Sequence, residues 1–88
     1  MKVVHVVWKD PAFSRAGWST KEDFKEWVDK GLARSDSVGL LAHESDDLIV
    51  LVQSVGESQV ADAVKISRSA IVEMRELGEI EVELKLGD

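Results

Sequence analysis

His5 and His43 are the only histidines in the chain. The run His43-Glu44-Ser45-Asp46-Asp47 starts like a zinc-protease HExxH motif, but Asp47 stands where the second histidine is required. That motif also needs a helix, so that both imidazoles share one face. Here the stretch reads as the polar tip of a hairpin, an acidic turn facing water. A weak divalent-cation contact at Asp46-Asp47 has no EF-hand loop pattern behind it. No G-x-S-x-G turn is present: Gly56-Glu57-Ser58-Gln59-Val60 lacks the second glycine. His5 alternates with Val3 and Val7, as a partly buried structural histidine on a strand does. The six glycines are scattered singly, so no phosphate-cradling loop is written into the chain. With no cysteine there is neither a thiol nucleophile nor a thiolate metal site. The expectation is a protein with no catalytic residues, no cofactor and no metal, not an enzyme.

Binding chemistry is more legible. Lys65, Arg68 and Arg75 fall within eleven residues of each other. The chain carries 11 basic and 17 acidic residues, for a net charge of −6. That excludes a protein holding nucleic acid or anionic membrane by bulk charge. A local anion site survives such a background, because screening confines distant charges to a Debye length of roughly 8–10 Å. Arg68, in the Ser67-Arg68-Ser69 turn, is the candidate phosphate contact, with Lys65 beside it; the alternative is that these cations are simply solvated. Trp18 follows Gly17 in a loop, where an exposed indole can stack on a base or on a partner. The competing reading places all five aromatics, Trp8, Phe13, Trp18, Phe24 and Trp27, in one wall over an aliphatic sheet.

The elements that must position these residues follow from patterning. At 88 residues, 44% hydrophobic and 32% charged, the chain fits one small globular domain spanning 1–88. Val-rich residues 2–9 alternate as a strand and stop at Asp10-Pro11. A helix is expected over 20–30, capped by Ser19 with Glu22 three residues on, and with Phe24, Trp27 and Val28 on one face. Antiparallel strands are expected over 38–44 and 48–55, joined by Ser45-Asp46-Asp47, and then over 60–66. Residues 70–77 fit a short helix by the spacing Ile71, Met74, Leu77, and a strand by Ile71-Val72 and the hairpin signal after it; the strand is favoured. Residues 79–86 alternate Ile80, Val82, Leu84, Leu86 against Glu79, Glu81, Glu83, Lys85, as a half-buried strand does. The short connections of the second half forbid parallel crossovers. The fold expected is β-rich α+β, with one helix packed on a small bent antiparallel sheet or partly open barrel of Sm-like or SH3-like type. Free edges and a small core point to a homo-oligomer. No apolar run reaches the ~20 residues of a membrane span, and no signal-peptide pattern is present, so a cytoplasmic protein without membrane partners is expected.

Residues 8–77 resemble a family of short, uncharacterised proteins of phages and prophage-bearing bacteria. The resemblance rests on Trp8-x-Asp10, Ser14, Gly17-Trp18, Ser37-Val38-Gly39-x-Leu41, Ile49-Val50-Leu51, Gln53-Ser54, Val60-Ala61-Asp62 and Ile66-x-Arg68-Ser69-Ala70-Ile71. Ser67 stands where the family commonly has proline, and the segment from Glu79 is an addition to its pattern. The run Ile66 to Ile71 is also similar to the second motif of Sm-like proteins, with Ser69 in place of its glycine. That second resemblance implies a bent five-strand barrel assembled into rings by edge pairing. The Sm RNA site relies on an asparagine, and this chain has none, so only Arg68 carries over. Two function classes therefore stand beside the disfavoured enzyme. One is an oligomeric binding and assembly module of phage type, in the host cytoplasm, contacting nucleic acid at a subunit junction. The other is a nucleotide-binding or nucleotide-sequestering protein, with Trp18 on the base and Arg68 and Lys65 on the phosphate.

Overall fold

The structure is a computed structural model that describes residues 1–10 and 17–84. Its elements in chain order are β1 (Lys2–Lys9), α1 (Lys21–Asp29), β2 (Arg34–Glu44), β3 (Leu48–Val52), β4 (Ser54–Val55), β5 (Val60–Ala61), β6 (Val64–Ser67), a 3₁₀ turn (Arg68–Ala70) and β7 (Ile71–Glu79). Five strands form one sheet in the order β6-β3-β2-β1-β7, antiparallel throughout. β6 and β7 are its two edges, so the sheet is open and not closed into a barrel. The protein is a β-rich α+β fold with one helix among the described residues.

Period-2 alternation builds the core. Val4 and Val6 of β1, Ile49 and Leu51 of β3 and Ile66 of β6 form a cluster that is essentially fully buried. Trp8, Leu41, Val64, Ile71 and Met74 pack against its rim. Ile49 lies directly opposite Ile66 and Val6 opposite Met74, so cross-strand neighbours share this face. Gly39 allows the close approach of β2 to β3: a Cβ there would lie 3.1 Å from the Val52 carbonyl oxygen and 3.3 Å from Leu51 Cβ. β7 pairs with β1 through two bulges, which place Val72 and Leu77 as extra residues on the edge.

Several sequence expectations are shifted. The strand expected at 38–44 starts at Arg34, because the Ser-rich stretch before it pairs with the end of β1. The strand expected at 48–55 breaks at Gln53, whose side-chain amide donates to the Val38 carbonyl at 2.7 Å. The strand expected at 60–66 is interrupted at Asp62, which takes φ +56°, so β4 and β5 form a separate small hairpin. Residues 70–77 take the strand alternative, as β7. The strand expected at 79–86 ends at Glu79. Ile80 and Val82 instead accept hydrogen bonds from the N-terminal ammonium, and Ile80 N–H donates to the Met1 carbonyl. Residues 85 and 86 lie outside the described residues, as do Pro11, Phe13 and Ser14.

The helix departs most from expectation. Thr20, not Ser19, is its N-cap, accepting from Asp23 N–H at 3.1 Å. Gly31 follows the C-cap with φ +68°, a conformation suited to glycine. No residue of α1 is buried, so the helix does not pack on the sheet as the aromatic-wall reading requires. The reason is geometric: the apolar face of the sheet is already filled by its own valines, isoleucines and leucines. The radius of gyration is 16.7 Å, against about 12 Å for a compact chain of this length, and the molecule measures 52 × 24 × 20 Å.

Candidate interaction surface

Arg68 is held by the β2–β3 turn. Its backbone N–H donates to the Asp47 carbonyl at 2.9 Å. Its Nε donates to the Ser45 carbonyl at 2.9 Å, and a terminal nitrogen donates to Glu44 Oε2 at 3.1 Å. The turn presents acceptors because Ser45 Oγ is itself engaged by the N–H groups of Asp47 and Leu48. The guanidinium therefore fastens the 3₁₀ turn to the hairpin and is already paired with a carboxylate. Lys65 lies on β6 opposite Val50, exposed. Ser67 and Ser69, which flank Arg68, hydrogen-bond each other at 2.9 Å, so their hydroxyls are engaged with one another.

Trp18 is fully exposed, in the segment leading into α1. No hydrogen bond or ring contact joins it to Lys65 or Arg68 among the described residues. The structure brings Lys65 and Arg68 into one edge region and leaves Trp18 with the helix. There Phe24, Val28 and Leu32 are also about half exposed. Phe24 and Trp27 have ring centroids 6.1 Å apart with planes tilted by 32°. Trp27, Val28, Gly31 and Leu32 line an open, mostly apolar hollow of about 240 Å³.

Sequence reasoning missed a polar network on the outer face of the sheet. His5 Nε2 lies 2.8 Å from Asp36 Oδ1. Arg34 donates to the same carboxylate, from Nε at 3.3 Å and a terminal nitrogen at 3.4 Å. The His5 hydrogen bond, then that of Arg34, holds the Asp36 carboxyl below the ordinary aspartate value of 3.8. Ser35 and Ser37 sit on the opposite face of β2 by alternation, and Ser37 Oγ accepts from Trp8 Nε1 at 3.0 Å. The neighbours of His5 across the strands are Val38 and Arg75, neither a nucleophile. The network ties the long β1–β2 excursion shut at its base, beside the bond from Asp10 N–H to the Ala33 carbonyl. The signal for it was register: only the β1–β2 pairing puts residue 5 beside residue 36.

His43 and Glu44 end β2, on a strand rather than a helix. Among the described residues, no three His, Asp or Glu side chains are grouped to hold a metal ion. A second open hollow, of about 490 Å³, lies between the β4–β5 hairpin and Glu83-Leu84. The two sheet edges differ in charge. β6 offers Lys65, whereas β7 carries Glu73, Glu76 and Glu79 against Arg75. No helix in the described residues is long and apolar enough to cross a membrane. Compared with protein-family models, curated proteins and solved structures, the chain matches none.

Proposed function

We propose that the protein is a non-enzymatic homo-oligomeric assembly and binding module whose subunits join edge to edge. The observation that carries this reading is a pair of sheet edges of opposite charge that no other strand among the described residues covers. β7 is nine residues long and acidic, and β6 carries a lysine. Free edges are templates for another strand. Because the two edges are different strands, the contact is heterologous, and repetition of it closes a ring or runs on as a filament. The ring-forming architecture implied by the resemblance to Sm-like proteins points the same way. Nucleic acid, if it is the cargo, meets Lys65 at the junction; Arg68 acts there as a fastener of the junction strand. The nucleotide-sequestering alternative loses its phosphate contact to the Glu44 pair, and the exposure of Trp18 alone does not carry it.

Native mass spectrometry tests the reading. A discrete oligomer of three or more subunits is expected, falling to a dimer or monomer in the edge variant Glu73→Lys/Glu76→Lys. A wild-type protein that never exceeds a dimer overturns edge assembly. Nucleic-acid affinity that falls steeply with salt and is reduced in Lys65→Ala supports the cargo.

A further inference from the structure

We draw no further inference here: the strongest candidate, the His5–Asp36–Arg34 side-chain cluster on the outer face of β1 and β2, engages its carboxylate in hydrogen bonds within the sheet, and nothing in the structure shows a ligand that it would take.

Discussion

Replacing Arg68 with alanine separates a fastener from an anion-binding residue. The substitution removes two bonds, from Nε to the Ser45 carbonyl and from a terminal nitrogen to Glu44. A hydrogen bond from a charged donor contributes about 1.5–3 kcal/mol when buried. The Arg68 side chain is 37% exposed and Glu44 is 49% exposed, so the ion pair falls in the surface range of about 0.2–1 kcal/mol and the carbonyl bond toward its lower limit. Released side-chain entropy offsets part of the loss. The bond from Arg68 N–H to the Asp47 carbonyl survives, because it belongs to the backbone. The net destabilisation is about 1–2 kcal/mol, which for a domain of this size lowers Tm by roughly 5–12 °C. Thermal denaturation followed by circular dichroism reads it. Arg68→Lys should recover little of the loss, because one ammonium cannot reach both acceptors in the fork geometry of guanidinium. Glu44→Gln should cost less than half as much as Arg68→Ala. The reasoning is refuted if Arg68→Ala leaves Tm within about 1 °C of wild type while abolishing nucleotide or nucleic-acid binding.

Ile66→Ala opens a cavity beneath Ile49 at a position that is 1% exposed. It should cost about 2–5 kcal/mol, a large share of the total stability of so small a domain, measured by urea denaturation. Gly39→Ala drives a methyl against the Val52 carbonyl and buried Leu51, neither a flexible chain end. It should destabilise by about 1–3 kcal/mol in the same assay. The lowered Asp36 carboxyl binds its proton less readily in the folded state than in the unfolded state. Its contribution is therefore present above the unfolded value near 3.8 and is lost as pH falls through the lower folded value. Acid unfolding curves of Asp36→Asn against wild type should converge below that range and separate above it.

Strand content and alternation were legible in the sequence wherever one face is buried. Val4, Val6 and Trp8 declare their face, and Ile49 and Leu51 declare theirs, because a one-residue slip would expose the set. Strand ends were less legible, because they depend on pairing. Arg34–Ser37 contains no apolar alternation and becomes strand only because β1 lies alongside it. The alternation of Ile80, Val82 and Leu84 was a false signal: period 2 promises a strand only if an edge accepts it, and Met1 caps that end of β1 instead. Of the candidate site, Lys65 and Arg68 stand out in the sequence by type and spacing. The role of Arg68 was not, since Glu44 and Ser45 reach it across 24 and 23 residues of sequence through the β3–β6 pairing. His5–Asp36 was hidden for the same reason.

The helix exposes the limit of amphipathic reasoning. Phe24, Trp27 and Val28 say that α1 has an apolar side, and nothing in that pattern says whose surface it meets. The outer face of the sheet carries His5, Asp36, Arg75 and Glu73 together with buried Val7 and half-exposed Val38. The apolar face is sealed by Ile49, Leu51 and Ile66. Phe24 and Val28 stay about half exposed, and that side of α1 gains hydrophobic free energy only by leaving water against another apolar surface.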